Sequence, residues 1–355
     1  MLCETCRVRV LVGLSGGVDS SVAAAMLLEE GHDVVAATMK LWGGSGDSGC
    51  CSVGDVDDAR RVAARLGIDH HVFNFSEEFE QSVVVPYAKA HALGRTPNPC
   101  IECNRHLKFR RFLDRAVRLG FDAVATGHHA RIANHGPDSL PRLLRGRDAA
   151  KDQSYVLSML TVRELSKVLL PVGELTKPEV RSRAAALSLQ TAAKPDSQEV
   201  CFIAAGPGQG PRERFLAERI ELHPGRIVDH ATGSVVGTVP AVELVTVGQR
   251  RGLGASASGP RYALEIDAAS ATVMVGSQDD LLTETVELIQ RTWVQGPLPV
   301  GAVVLAQASA HGRPRPVTLT ETGVRYLDGP GRRVAPGQTI ALYTGDEVVG
   351  SGIAA

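Results

Sequence analysis

The sequence predicts an α/β protein: a doubly wound parallel sheet followed by two small β-rich domains, the last of them a β-barrel. Three observations carry that prediction. From residue 7 to about residue 189, short apolar runs alternate with helical patterns, as strands joined by crossover helices do. A glycine-rich turn, Ser15-Gly16-Gly17-Val18-Asp19-Ser20, links the first apolar run to the first helical pattern. Beyond the run GPGQGP that begins at Gly206, apolar segments are short and broken by glycine and proline, which suits strands and turns of small β domains. At 355 residues the chain is long for one core, so several domains are expected. The boundaries read as 1–206, 207–275 and 276–355.

Residues 8–13, rich in Val and Leu, read as a buried strand, and residues 20–30 as a helix stopped by Gly31. Residues 33–40 form the next strand. In the helix expected at 55–66, Val56, Ala59, Ala63 and Leu66 recur at helical spacing, three aspartates crowd the first turn, and Gly67 ends it. Residues 70–75, including His70 and His71 as ordinary strand residues, and residues 122–126 supply further strands. A helix at 105–119 carries an apolar stripe of Phe109, Phe112, Leu113 and Ala116, with Arg105, Lys108, Arg111, Arg115 and Arg118 on its other faces. Those faces suit either phosphate contacts or plain solvation. Strands follow at 226–229, 235–239, 262–266 and 272–275, and then at 303–306, 317–320 and 339–343. The loops at 311–316 and at Arg332-Arg333 are basic.

Hydrophobic content of 44% with 22% charged residues excludes a disordered chain. A net charge of −1 excludes a chain-wide basic field, so a nucleic acid would have to be drawn by local patches. No apolar run reaches 18 residues and the N-terminal one is too short for a signal peptide, so no membrane partner and a cytoplasmic setting are expected. The seven cysteines stand as Cys3/Cys6, Cys50/Cys51, Cys100/Cys103 and Cys201. That is no disulfide framework: mostly reduced thiols are expected, with Cys50 and Cys51 as surface bystanders.

In the turn after the first strand, two glycines let the backbone approach an anion, and the following helix adds amide donors and a positive dipole end. Ser15 and Ser20 add hydroxyls. The lysine of the pattern GxxxxGK[ST] is missing, which excludes an ordinary P-loop. The sequence SGGVDS in this position resembles the PP-loop ATPase superfamily. The resemblance implies binding of ATP, cleavage at the α-phosphate to give an adenylated substrate, and action of Asp19 through Mg²⁺, a carboxylate being a natural ligand for a hard cation.

Cys100-Ile101-Glu102-Cys103 follows Thr96-Pro97-Asn98-Pro99, and Cys201 lies 98 residues beyond Cys103. A CxxC pair is half a zinc site, but no second CxxC or HxxxH lies downstream. The chemistry that needs two distant thiols is sulfur transfer: one carries a persulfide and the other breaks its S–S bond. Together with Gly94-Arg95-Thr96-Pro97-Asn98-Pro99, Ala125-Thr126-Gly127-His128, Lys151-Asp152-Gln153-Ser154-Tyr155, Cys201-Phe202-Ile203 and Pro336-Gly337-Gln338, these segments resemble the bacterial tRNA-specific 2-thiouridylases over essentially the whole chain.

The resemblance implies that Gly13, Leu14, Ser15, Gly16, Gly17, Val18, Asp19, Ser20, Met39 and Gly127 contact ATP. Cys201 would carry the persulfide and Cys103 would form a disulfide with it as sulfur leaves. Asn98, Pro99 and Cys100 would lie against the target base, and His128, Lys151, Asp152, Gln153 and Gln338 would meet the tRNA. The implied partners are tRNAs for Lys, Glu and Gln, modified at the wobble uridine, and a persulfide donor protein or cysteine desulfurase relay. Many relatives carry Asp where this chain has Cys100, so that residue's role does not transfer. Cys100, Cys103 and Cys201 would also suit a [4Fe–4S] cluster with one open iron, but Cys103 and Cys201 alone suffice for the persulfide route, which is the reading adopted. The alternatives are a different PP-loop tRNA thiolase or an amidotransferase, in which the cysteine pair would be idle.

Overall fold

The computed structural model describes residues 7–42, 52–133, 139–196, 200–203, 210–256 and 259–355. Cys3, Cys6, Cys50, Cys51 and residues 206–209 of the expected first boundary lie outside the described residues.

The first strand, β1 (Arg9–Gly13), is apolar because it lies at the centre of a sheet, with Val10, Leu11 and Val12 fully buried. The strands that follow in the chain are β2 (Asp33–Lys40), β3 (His70–Asn74), β4 (Ala123–Ala125), β5 (Ala130–Ala133), β6 (Arg142–Arg145) and β7 (Val168–Leu169). Five of them form a parallel sheet of order β3, β2, β1, β4, β7. The chain thus winds outward from β1 to β3, then returns to the other side of β1 at β4. That reversal leaves a crevice at the carboxyl ends of β1 and β4, the usual ligand position in such sheets.

Helix α1 (Val18–Glu29) follows β1 directly and is buried along most of its length. Helix α2 (Val53–Leu66) starts at a capping box between Ser52 and Asp55 and ends on Gly67 in the left-handed region. The basic helical segment is built from Pro99–Cys103, a wide π-helical stretch Asn104–Arg111, and Phe112–Arg118. Phe109, Phe112, Leu113 and Ala116 face the core, while Arg111, Arg115 and Arg118 are exposed. No helix among the described residues is long and apolar enough to cross a membrane.

In the central region, strands Tyr262–Asp267, Thr272–Gly276, Gly225–Asp229 and Val235–Val239 form one four-stranded sheet in that order. At the C-terminus, six strands close into an antiparallel barrel: Thr285–Trp293, Gly323–Tyr326, Arg315–Leu319, Val303–Gln307, Thr339–Thr344 and Glu347–Ala354, the last pairing back onto the first.

Sequence periodicity does not foretell the joint between the two halves. The β5–β6 hairpin, from the α/β half of the chain, pairs with the last barrel strand, with Leu143 opposite Val348 and Leu144 opposite Glu347. Arg145 fastens the joint: its guanidinium lies 3.7 Å from the Tyr343 ring centroid, 2.8 Å from Asp152 and 2.8 Å from Gln307. Tyr155 Oη donates to Thr339 O at 2.8 Å across the same boundary. Removing one partner of a buried ion pair strands the other charge. Arg145→Ala should therefore lower stability by about 3 kcal/mol, read as the shift in urea midpoint. Arg145→Lys should recover little, because an ammonium cannot stack and bridge as the planar group does.

Candidate active site

The crevice at the ends of β1 and β4 opens into a cavity of about 590 Å³, the size of a small-molecule site. Its floor is the turn after β1. Ser15 N–H donates to Ser20 Oγ at 3.2 Å, and Ser20 Oγ donates to Gly17 O at 3.1 Å, which staples the turn to the start of α1. Gly16 has φ +72°, and a Cβ there would lie 2.4 Å from Asp55 O. Gly17 caps α1 without a side-chain hydrogen bond, so the first amides of the helix face the cavity unpaired by the helix itself. From the other side comes Gly127, where a Cβ would lie 2.5 Å from Asp19 C and Ser20 N. The exit of β4 and the phosphate-type loop therefore touch backbone to backbone, which only glycine permits.

The charge a loop lysine would bring arrives from elsewhere. Four of the seven lysines, Lys108, Lys151, Lys177 and Lys194, line the cavity of this arginine-rich chain. Lys177 is buried, with its ammonium 2.7 and 2.8 Å from the Asp19 oxygens and 2.8 Å from Asp196 Oδ1. His129 Nε2 lies 3.0 Å from Asp19 Oδ1, and His129 Nδ1 is buried without a hydrogen-bond partner. Burial alone would raise the Asp19 carboxyl, but hydrogen bonds from His129 and Lys177 outweigh it and hold the group below its ordinary value. Asp196 resists burial in the same way: Lys151 at 2.7 Å and Lys177 bring it down to about 2. Lys194 bonds Gly16 O at 3.0 Å, Asp55 at 2.7 Å and Asp58 at 2.6 Å, and these carboxylates overcome burial and raise its pKa.

Of the residues expected at ATP, Gly13, Leu14, Ser15, Gly17, Val18, Asp19, Ser20, Met39 and Gly127 line this cavity. Gly16 stands behind them against Asp55. Four residues expected at tRNA also line it, and each has an internal partner. His128 is buried, its Nδ1 2.7 Å from Thr126 Oγ1, and burial pushes it well below its ordinary value, so the ring is neutral. Asp152 holds Arg145 and accepts from Gly146 N–H at 3.0 Å. Gln153 accepts from His129 N–H at 2.9 Å, and Lys151 pairs with Asp196. Gln338 is away from the cavity: its amide donates to Thr96 O, joining a barrel loop to the segment before Asn98.

Asn98 Oδ1 accepts from Cys100 N–H at 3.0 Å and so caps the helix Pro99–Cys103, with Pro99 in its first turn. Cys100 is exposed, Cys103 buried and Cys201 half-buried, and none is in a disulfide. Cys103 belongs to a large hydrophobic cluster against which Cys201 packs, so residues 98 apart in sequence share one packed body. Leu41 and Tyr155 belong both to that cluster and to the cavity wall. Among the described residues no group of three or more His, Cys, Asp or Glu side chains stands close enough to hold a metal ion. Cys100, Cys103 and Cys201 form no such group and as placed do not fit a [4Fe–4S] cluster.

Sequence reasoning assigned no role to Lys177, Lys194, His129 or Asp196. The available signal was the missing loop lysine, which demands a cation from another segment. It does not say which. The basic loop expected at 311–316 does reach the site, since Ala310 and His311 form part of the cavity wall.

Residues 8–205 match the family model of the tRNA methyl transferase HUP domain, residues 213–277 that of the tRNA methyl transferase PRC-barrel domain, and residues 310–354 that of the aminomethyltransferase beta-barrel domain. The chain is 43% identical to the tRNA-specific 2-thiouridylase MnmA of Roseiflexus castenholzii, across 97% of this chain and 98% of that protein. Identity to the Salinispora arenicola protein of the same name is 45%, across 97% of this chain and 98% of that one. Among solved structures, the U34-tRNA thiolase NcsA from Methanococcus maripaludis with its [4Fe–4S] cluster matches at 18% identity and a TM-score of 0.37, covering 59% of this chain and 64% of that one.

The charge network has a measurable consequence. Asp196 is held at about 2 in the folded chain against an ordinary 3.8, so its stabilisation is complete above about pH 4 and is lost as pH falls towards 2. Asp196→Asn should flatten that part of the stability curve, read by chemical unfolding at stepped pH. An unchanged acid limb would show that the network contributes nothing to folding.

Proposed function

The chain belongs to the tRNA-specific 2-thiouridylase family, and on that premise we propose that it replaces the C2 oxygen of the wobble uridine of tRNA by sulfur, using ATP, in the cytoplasm. The observation that carries this reading is a shared wall: a phosphate-loop cavity and a cluster holding Cys103 and supporting Cys201 have Leu41 and Tyr155 in common. A methyl transfer, which the family models' descriptions mention, would leave both the loop and the cysteine pair without work.

ATP lies with its phosphates against the turn Gly13–Ser20, between Met39 and Gly127. The uridine C2 oxygen attacks the α-phosphorus, the bond to the bridging oxygen breaks, and pyrophosphate leaves. Mg²⁺ carried in with ATP would meet one protein carboxylate here, Asp19, and would supply charge neutralisation for the leaving group. Lys177 now holds that carboxylate and also Asp196. It is the ammonium that takes up phosphate charge in place of a loop lysine.

Cys201 arrives as a persulfide loaded by a donor protein or desulfurase relay. Its terminal sulfur attacks C2 and AMP departs. The Cys103 thiolate then attacks the Cys201 sulfur, the S–S bond to the tRNA breaks, and the 2-thiouridine is released with a Cys103–Cys201 disulfide. A thiol reductant restores both thiols. Asn98, Pro99 and Cys100 lie beside the base, while His128, Lys151, Asp152, Gln153 and Gln338 orient the tRNA. The acceptors are tRNAs for Lys, Glu and Gln. Residues 1–206 form the catalytic domain, with 207–275 and 276–355 as the central and barrel domains.

The test is tRNA-dependent exchange of radioactive pyrophosphate into ATP. Exchange should require tRNA and should fall by at least about 100-fold in Asp19→Ala. Exchange without tRNA would point to another adenylating enzyme. On the sulfur side, Cys201→Ser should take no radioactive sulfur from a persulfide donor, whereas Cys103→Ser should take it and fail to pass it on. Label found on Cys103 of the unaltered protein would reverse the two roles. Lys177→Met should lose about 100-fold in exchange and Lys177→Arg less, whereas undiminished exchange in Lys177→Met would remove the ammonium from the phosphate step.

A further inference from the structure

Cys201 sits in a four-residue turn closed by Ile203 N–H donating to Val200 O at 3.0 Å. Residues 200–203 themselves belong to no strand or helix, so side-chain packing contributes to where the turn sits. The next residue, Phe202, is almost fully buried and meets four other rings: Phe215 at 5.0 Å between centroids, Phe79 and Tyr87 at 5.6 Å, and Trp42 at 6.1 Å. Those rings come from the segment just after β2, the helical segments Ser76–Phe79 and Val85–Ala92, and the helix Pro211–Ala217. The chain has fifteen Phe, Tyr and Trp residues in all, and a third of them gather here. Arg219 lies over Phe215 at 4.0 Å and over Trp42 at 5.6 Å. So much aromatic area is more than a single surface turn needs, and it surrounds the immediate neighbour of the thiol.

We infer that Phe202 is the positioning residue for the Cys201 sulfur: an aromatic plug whose seat fixes where the thiol points. The inference rests on the sulfur-carrier reading of Cys201. Delivery requires the carried sulfur to reach one carbon atom, and reacting groups displaced by about 1 Å lose rate steeply. Because thiol and plug are adjacent in one tight turn, loosening the ring in its seat swings the sulfur. The ring takes no part in binding ATP, since neither Phe202 nor its four partners lines the cavity.

The experiment compares Phe202→Ala and Phe202→Leu with the unaltered protein in single-turnover transfer from preloaded Cys201 persulfide to tRNA. Transfer by Phe202→Ala should slow about 10- to 100-fold, and iodoacetamide should alkylate its Cys201 faster. Pyrophosphate exchange should stay within about twofold, and Phe202→Leu, which refills much of the seat, should regain part of the transfer rate. Transfer at the unaltered rate in Phe202→Ala would overturn the inference. So would a parallel loss of transfer, exchange and melting temperature without rescue by Leu, since that is what mere destabilisation gives. Transfer that survives in Cys201→Ser would instead remove the sulfur-carrier assignment, a result distinct from either.

Discussion

One ammonium ties the two acids of the site to each other. Asp19, in the first turn of α1, and Asp196 are 177 residues apart, and both present carboxylates to the same crevice. Partly buried carboxylates facing one another repel unless a cation stands between them. Lys177 is that cation, and its position is over-determined. Its own N–H donates to Asp148 at 2.9 Å, and its helix begins at a capping box formed by Thr176 and Glu179. Asp19 in turn holds His129, two residues beyond Gly127, whose missing side chain lets β4's exit lie on the phosphate loop. Loop, strand end and distant helix thus share one charge balance. A nucleotide entering the crevice meets ammonium groups already neutralised by carboxylates, and binding becomes an exchange of anions rather than the filling of an empty positive hole.

How legible this was from sequence depends on how local each cause is. β1, β2 and α2 follow from patterns within a dozen residues, and the structure has them within a residue or two of expectation. The phosphate turn is equally local: two glycines, two serines and a helix start are all visible in SGGVDS. The β5–β6 hairpin was not legible, because each strand has four residues and its partner lies about 200 positions away. Nor was β7, two residues long and strand-like only beside β4. Lys177 looks in sequence like any basic residue at a helix start, and only the fold shows it buried between two acids.

The cysteines mark the boundary between the two kinds of information. Their types and spacing suggest sulfur chemistry on their own, but neither says what fixes a thiol in space. For Cys103 it is a helix that begins at the Asn98 cap. For Cys201 it is the five-ring cluster, whose members lie between positions 42 and 215. Asp152 and Gln338 teach the converse. Each has an internal hydrogen-bonding partner, Arg145 and Thr96, that nothing in the neighbouring sequence announces.

The seam between β6 and the last barrel strand also governs scale. Backbone hydrogen bonds, the stacked Arg145 and the Tyr155 hydroxyl cross it together, so the barrel cannot swing away without breaking all of them. The span from the barrel's outer loops to the bottom of the crevice is then a constant of the molecule, like the gap of a calliper. Whatever reaches from one end to the other must match that fixed span, because the seam leaves the two ends little freedom to approach or separate.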